Sequence, residues 1–158
     1  MTEGVARREP VRAQPGKLRE TKRTDMLVRF GKDFGVVTDF HARALVDVPP
    51  DLETLGYRVV QEALTNAAKH AEASEVTLSV EAEAGQLRVE VTDNGKGFDT
   101  GRAREFLRIG RVGLASMRER TELASGTFMV RSTPGNGTTV VATLPLDTAP
   151  IRSEPVFR

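Results

Sequence analysis

The clearest hydrophobic pattern in the chain lies at residues 52–70 and predicts a helix. Its apolar residues recur at spacings of three and four, and about 100° of rotation per residue places them on one side of a helix. These apolar residues are Leu52, Leu55, Val59, Ala63 and Ala67. Pro49-Pro50-Asp51 precedes the segment. This sequence is typical of a helix start, and we expect Asp51 to be the N-cap residue.

Two pairs of segments alternate between apolar and polar residues and predict two β-hairpins. Residues 76–80 and 87–91 have an apolar residue at every second position and are joined through Ala84-Gly85-Gln86. Residues 127–132 and 138–144 flank the turn sequence TPGNG. A period of two indicates strands with one apolar face, and the glycine-containing connections favour antiparallel pairing.

Three further segments complete the predicted order of elements. Residues 18–30 form a possible helix, residues 36–40 a short strand, and residues 113–124 a helix. We expect three residues of this last helix to be buried: Leu114, Met117 and Leu123. Because hairpins exclude an all-parallel sheet, the pattern predicts an α+β fold. It is a two-layer α/β sandwich, with a mixed, mostly antiparallel sheet of about five strands covered on one face by helices.

Length and composition favour one domain with short tails. The chain has 158 residues, of which 39% are hydrophobic, enough for one proper core. No apolar run approaches the roughly 18 residues of a membrane span, and the N-terminus lacks the apolar run of a signal peptide. There are no cysteines, so disulfides and thiolate metal sites are excluded. We expect a cytoplasmic protein with no membrane contact by this chain.

Charge is distributed unevenly between the N-terminal arm and the rest of the chain. Residues 1–32 contain nine Lys or Arg and four Asp or Glu, a net charge of +5, whereas the remainder has a net charge of −4. A basic arm suits nucleic acid or an anionic membrane. However, it contains no base-reading motif, and Phe30 is its only aromatic residue. We therefore expect no nucleic-acid partner. Residues 1–25 are interpreted as a flexible tail or the remnant of an upstream segment, 26–146 as the domain, and 147–158 as a second tail.

The polar side of the helix at residues 52–70 contains four groups able to bind a ligand. They are Glu62, Asn66, Lys69 and His70. Such a side is more often simply solvated, since most amphipathic helices have one apolar and one hydrated face. The pattern of this helix alone leaves both interpretations open.

Three glycine-containing segments are candidate ligand-binding loops. Asp93-Asn94-Gly95-Lys96-Gly97 follows a predicted strand, Gly110 and Gly113 precede a predicted helix, and Gly135-Asn136-Gly137-Thr138 precedes the last strand. Glycines let the backbone approach a ligand, and a helix N-terminus favours an anion. The second and third segments are compatible with an ordinary helix start and an ordinary hairpin turn. The first contains an acid and a second glycine and is not followed by a returning partner strand, which argues against a plain turn. The sequence contains no P-loop, dinucleotide-binding or nucleophile-elbow motif.

Taken in order, four segments resemble the ATP-binding catalytic domain of sensor histidine kinases. This domain has the Bergerat fold and belongs to a superfamily that includes gyrase, the MutL proteins and certain chaperones. QEALTNAAKHA resembles its N box, DNGKGFD its first glycine box, GRVGLASMRERTELASG its second and GNGTTVVATLP its third. The KHA ending, the Arg-Glu-Arg after Met117 and the short lid resemble the kinases that partner helix-turn-helix response regulators. The similarity runs from about Met26 to Leu146.

The resemblance implies roles for the polar groups of the N box. By analogy, Asn66 supplies its side-chain oxygen to Mg²⁺, and Glu62 is the catalytic residue. Lys69 and His70 lie near the phosphates of ATP.

The glycine boxes, by the same resemblance, hold the base and the phosphates. Asp93 accepts a hydrogen bond from the adenine amino group, and Thr138 holds the base from the other side. Gly95 and Gly97 let the chain pass close to the base.

For the second glycine box, the resemblance implies that Gly113 and Leu114 offer backbone N–H groups to the phosphates. It also implies a lid at residues 100–111. The family's second box usually has the spacing G-x-G-L, whereas Gly110 and Gly113 are three residues apart here.

The resemblance implies that the domain donates the γ-phosphoryl group of Mg-ATP to a histidine on a separate dimerisation domain or chain. A response regulator is then an indirect partner. No E-L-H-D-like acceptor pattern occurs in the sequence, and His41, in a predicted strand, is unsuited to that role. Two alternatives remain open. One is a stand-alone serine kinase of the anti-sigma type, and the other is a nucleotide-dependent interaction module without phosphotransfer.

Overall fold

The computed structural model describes residues 32–33, 35–44, 48–101 and 112–147. The helix expected at residues 18–30, the lid beyond residue 101, and the two tails up to residue 25 and after residue 147 lie outside the described residues.

Five strands form one mixed sheet in the order β1-β2-β3-β5-β4. The β1–β2 pair is parallel, and the β2–β3, β3–β5 and β4–β5 pairs are antiparallel. The predicted α+β sandwich with a mostly antiparallel five-stranded sheet is confirmed. The elements are β1 (Val37–Ala44), α1 (Pro50–Asn66), a π-helical turn (Ala67–Ala71), β2 (Glu75–Glu83), β3 (Gln86–Asp93), α2 (Val112–Leu123), β4 (Thr127–Ser132) and β5 (Thr138–Pro145).

Helix α1 begins two residues earlier than expected. Pro49 is the N-cap residue and Pro50 is the first helical residue, so the expectation that Asp51 caps the helix is wrong. The reason is that the proline ring already has the helical φ and has no N–H that needs a partner. Asp51 instead lies in the first turn, where its negative charge interacts favourably with the helix dipole.

The apolar side of α1 packs on the sheet as the sequence predicts. All five expected positions are buried: Leu52, Leu55, Val59, Ala63 and Ala67. The alternating residues of β2 and β3 meet them from the sheet and are also buried: Val76, Leu78, Val80, Leu87, Val89 and Val91. Ala84 and Gly85 connect these strands with positive φ angles of 51° and 75°, as a tight two-residue hairpin turn requires. Gln86 already belongs to β3.

Helix α2 confirms two of its three expected buried residues. Leu114 and Met117 are buried, but Leu123 is 73% exposed, so that expectation is wrong. The inward positions continue instead through Thr121 and Ala124, at spacings of four and three, which leaves Leu123 on the outer side. Thr121 is fully buried because its hydroxyl donates to the carbonyl of Met117 at 2.7 Å.

The pairing of β3 with β5 brings together two residues that are far apart in the sequence. Asp93 is the last residue of β3 and Thr138 the first of β5, and the two are register partners. The C-terminal end of α1 lies beside this corner of the sheet. Among the described residues, no helix is long and apolar enough to span a membrane.

Candidate functional site

A cleft opens between the end of α1, the loop after β3 and the start of α2. Six of the residues that the resemblance implicated line it: Asn66, His70, Asp93, Gly97, Leu114 and Thr138. Six others complete the lining: Ala63, Ala67, Ala71, Val91, Phe98 and Val140. We call Asp93, Gly97, Ser132, Gly137 and Thr138 the sheet end of the site, and Glu62, Asn66, His70 and Gly113 its helix end. The cleft is thus mostly apolar, with a few polar groups facing it, as in small-molecule sites.

The last turn of the first helix is π-helical, which the sequence pattern did not reveal. Residues Ala67–Ala71 form this turn, and Glu72 follows in the left-handed conformation with φ of 51°. Ala67, His70 and Ala71 face the cleft, whereas Lys69 is exposed and does not line it. Such π-helical turns are frequent at functional sites. Here the turn separates two neighbouring basic residues, with one in the cleft and one in solvent.

Asn66 and Glu62 are joined by a side-chain hydrogen bond at the helix end. Asn66 Nδ2 donates to Glu62 Oε1 at 3.2 Å. A carboxylate only accepts hydrogen bonds, so the amide nitrogen must face Glu62 and Oδ1 is turned away from it. No described residue donates to Asn66 Oδ1. One hard oxygen ligand of this kind fits Mg²⁺, which keeps several waters and takes other ligands from phosphates.

No dedicated metal cluster accompanies Asn66 in the described part of the chain, since no three His, Cys, Asp or Glu side chains converge. A Mg²⁺ ion held here would therefore take most of its ligands from the nucleotide and from water.

Gly113 brings the start of α2 against the carboxylate of Glu62. A Cβ atom on Gly113 would overlap the Glu62 carboxylate oxygens. Neither residue lines the cleft itself, but both lie beside the lining residues Asn66 and Leu114. The absence of a side chain at residue 113 thus lets the carboxylate of α1 approach the N-terminal turn of α2.

At the sheet end, two glycines allow three segments of backbone to meet. A Cβ on Gly95 would overlap the carbonyl of Ala71, and a Cβ on Gly97 that of Thr133. Between them, Lys96 donates its N–H to Ala71 O at 2.7 Å and accepts from Gly135 N–H at 2.6 Å. Gly97 also has a positive φ of 60°. Both glycines are therefore required by contacts within the protein, and only Gly97 lines the cleft.

Asp93 is buried at the end of β3 with its carboxylate held in place. Asp93 is the one charged residue among the buried residues that the structure describes, at 8% exposure. Oδ1 accepts a hydrogen bond from the N–H of Gly95 at 2.9 Å. This bond holds the Asp93 side chain against the loop that follows β3.

The sequence reasoning missed Ser132, the last residue of β4. It is 8% exposed, and its hydroxyl oxygen lies 2.9 Å from Phe98 N, 2.8 Å from Gly137 O and 2.9 Å from Thr138 Oγ1. One signal was available. Ser132 continues the inward-facing series Phe128 and Val130 along β4, and a hydroxyl at a core position needs partners.

The side chain of Asn94 has a structural role that the turn-like sequence around it does not predict. Oδ1 accepts from the N–H groups of Ser74 and Glu75 at 2.9 Å and 3.0 Å, and Nδ2 donates to Ser74 Oγ at 2.9 Å. These bonds tie the loop after β3 to the start of β2, next to the π-helical turn.

A family model and curated relatives of this chain point to the same protein family. The model of the family described as histidine kinase-, DNA gyrase B-, and HSP90-like ATPase matches residues 51–148. A relative named signal transduction histidine-protein kinase/phosphatase DegS, from Brevibacillus brevis, is 37% identical over 120 residues. The alignment covers 75% of this chain and 30% of the relative. Sensor histidine kinase YdfH from Bacillus subtilis (strain 168) is 40% identical over 91 residues. That alignment covers 57% of this chain and 22% of the relative. The chain thus spans less than a third of these relatives' length.

Solved structures agree with this assignment. The histidine kinase domain of the blue-light activated histidine kinase from Erythrobacter litoralis EL346 has a TM-score of 0.63 and 27% identity, covering 81% of this chain and 61% of that one. Full-length ShkA in complex with AMPPNP shares the fold, with a TM-score of 0.69 at 22% identity, covering 89% and 32%. The predicted resemblance is confirmed, and the chain belongs to the histidine kinase-, DNA gyrase B- and HSP90-like ATPase family.

Proposed function

We propose that this domain binds Mg-ATP in the cleft and donates the γ-phosphoryl group to a histidine on a separate dimerisation domain or chain. The observation that carries the proposal is that Asn66 and Asp93, which lie on different elements, line one cleft. The similar proteins named as histidine kinases support it. A response regulator would receive the phosphoryl group afterwards, and the domain would act in the cytoplasm.

Adenine is proposed to bind at the sheet end. The Asp93 carboxylate would accept a hydrogen bond from the exocyclic amino group, and Thr138 would hold the same edge directly or through water. The apolar lining, including Ala63, Val91 and Val140, would cover the faces of the ring. In such a dry site an unmatched polar edge loses affinity, so these groups select the base.

The phosphates are proposed to lie at the helix end. Asn66 Oδ1 would hold Mg²⁺, which supplies positive charge against the triphosphate when bound. His70 and the exposed Lys69 would contact the phosphates, and Gly113 and Leu114 would offer N–H groups from the first turn of α2. The protein's contribution to phosphoryl transfer is mainly positioning and charge stabilisation.

Glu62 is the proposed catalytic carboxylate. Its hydrogen bond to Asn66 and its contact with the start of α2 hold it beside the proposed phosphate site. From there it can orient the incoming acceptor and accept its proton, a role that general-base catalysis assigns to a positioned carboxylate.

Phosphotransfer from labelled ATP tests the proposal. The chain is mixed with Mg²⁺, γ-labelled ATP and a separately prepared histidine-bearing dimerisation domain, and we expect acid-labile label on that domain. Glu62→Gln should lower the transfer rate by about 10²- to 10⁴-fold, the usual contribution of a general base. ATP affinity should change less than about threefold, because the Gln oxygen can still accept from Asn66.

Glu122→Gln, an exposed substitution on α2, is the matched control and should leave transfer unchanged. Acid-stable phosphate on serine would replace the proposal with the serine-kinase alternative. ATP-dependent partner binding without transfer would favour the interaction module. If calorimetry with Mg²⁺ detects no binding of ATP, all three functions are excluded.

A further inference from the structure

We propose that Ser132 determines the specificity of the site for a base with an amino group, by fixing the direction of the Thr138 hydroxyl. This inference rests on the proposed binding of ATP in the cleft. It concerns a buried residue whose side chain does not line the cleft, and whose effect is transmitted through a neighbour.

The hydrogen-bonding capacity of Ser132 is fully used by three partners. A serine hydroxyl has one proton to donate and two lone pairs that accept. The N–H of Phe98 can only donate, so it occupies one lone pair. The carbonyl of Gly137 can only accept, so it takes the single proton.

In the remaining hydrogen bond of Ser132, the hydroxyl of Thr138 must be the donor. Ser132 Oγ and Thr138 Oγ1 are 2.9 Å apart, and either atom alone could be the donor. Because the Ser132 proton is committed to Gly137, Thr138 must donate its own proton to the second lone pair of Ser132. The lone pairs of Thr138 Oγ1 are thus the only hydrogen-bonding capacity that its side chain can offer a ligand.

Asp93 and Thr138 therefore present acceptors side by side. They are register partners at the ends of β3 and β5, and both line the cleft. A ligand edge that faces two acceptors must donate, as the amino group of adenine does. The ligand edge must also donate if a water molecule bridges it to the protein. Such a water would donate its two protons to Asp93 and Thr138, so it could only accept from the ligand. A base with an oxo group at this position is then rejected.

Removing the hydrogen bond between Ser132 and Thr138 should weaken the preference of the site for an amino group over an oxo group. In Ser132→Ala, the Thr138 hydroxyl loses its acceptor and is free to donate its proton towards a ligand or water in the cleft. Affinity for ATP should fall, whereas affinity for inosine triphosphate, which has an oxo group in place of the amino group, should fall less or rise. We expect the preference of the wild-type chain for ATP to decrease by about tenfold, the effect of one mispaired buried hydrogen bond.

The dissociation constants of ATP and inosine triphosphate, measured with Mg²⁺ for the full chain, test the proposal. Thr139→Val is the matched control. The Thr139 hydroxyl pairs with Thr92 at 3.1 Å between the same two strands, one residue from the Asp93–Thr138 pair, and neither lines the cleft. The ratio of the two constants should be unchanged in this control. Ser132→Thr, which keeps a hydroxyl, should restore the ratio.

The ratio separates specificity from a general loss of structure. If Ser132→Ala weakens both nucleotides equally, Ser132 has only a structural role and the proposal is overturned. If Ser132→Ala does not fold, Ser132→Cys, which nearly preserves the volume but pairs only weakly, takes its place with the same two outcomes. Binding of both nucleotides with an unchanged ratio refutes this inference alone. Binding of neither by the wild-type chain refutes the proposed function as well.

Discussion

The sheet end and the helix end of the cleft are held together by different kinds of contact. At the sheet end, backbone packs directly on backbone. A Cβ on Gly97 would overlap the carbonyl of Thr133, and one on Gly137 that of Asp93. At the helix end, the corresponding contact of Gly113 is with the tip of the Glu62 side chain. Backbone carbonyls cannot move without shifting a strand or turn, whereas the end of a glutamate can rotate.

This difference suits the two tasks proposed for the ends. Recognition of a base requires acceptors held within a fraction of an ångström, which backbone packing and the Ser132 hydrogen bonds provide. Chemistry at the phosphates requires a carboxylate that can adjust its position as an acceptor histidine arrives. Glycine residues therefore serve different purposes at the two ends. At the sheet end they allow tight backbone packing, and at the helix end they leave room for a reactive side chain.

Gly97→Ala should produce the largest effect. A methyl group there meets backbone on two sides and must adopt a φ of 60°, so we expect a loss of about 3 kcal/mol in the free energy of unfolding. Urea denaturation measures this. Gly135→Ala is the control, because Gly135 has a φ of 84° but nothing within 4 Å, and only the conformational term of about 1 kcal/mol applies. Equal losses in the two variants would show that packing at the sheet end is not tight.

Asp93→Asn should weaken ATP binding by about 10- to 100-fold, as expected for the loss of a charged acceptor in a buried site. Stability should change little, because the amide oxygen can still accept from the N–H of Gly95. Calorimetry with Mg²⁺ measures the affinity. Asp99→Asn is matched to it, since Asp99 makes the same type of bond to Gly101 at 2.8 Å but is exposed and outside the cleft lining. Comparable losses in both variants would contradict the role of Asp93.

Asn66→Ala should reduce ATP affinity by about tenfold in the presence of Mg²⁺, through the loss of one oxygen ligand. With the metal chelated, the variant and the wild-type chain should bind ATP equally. Titrations with and without Mg²⁺ distinguish the two conditions. Gln61→Ala, on the exposed side of the same helix, should behave like the wild-type chain. A loss that persists without Mg²⁺ would assign Asn66 a direct contact to the nucleotide instead.

Gly113→Ala should have the smallest effect on stability, within about 1 kcal/mol, because alanine favours the helix and only the tip of Glu62 must move. Phosphotransfer should nevertheless fall towards the level of Glu62→Gln, since the carboxylate is displaced. Denaturation and the labelled-ATP assay measure the two effects. If Gly113→Ala unfolds the chain as readily as Gly97→Ala, the helix end is as rigid as the sheet end and the contrast between them disappears.

Much of the fold could be predicted from local patterns in the sequence. The spacing of Leu52, Leu55 and Val59 determined which face of α1 is buried, because helix geometry repeats every few residues. Alternation did the same for β2 and β3. The two errors occurred at element ends. Pro49, not Asp51, is the N-cap residue of α1. At the end of α2, Leu123 is exposed and Ala124 is buried. Both positions lie at helix ends, whose exact limits a local pattern does not fix.

The site divides in the same way between sequence and tertiary structure. The order of the N box and the glycine boxes along the chain was enough to determine the family, together with six of the residues that line the cleft. Only the tertiary structure showed that Gly95 contacts Ala71, that the π-helical turn directs His70 and Lys69 apart, and that Ser132 is hydrogen-bonded to Thr138. The Gly95–Ala71 contact joins two separate segments of the chain, and the geometry of all three features is decided by packing rather than by local spacing.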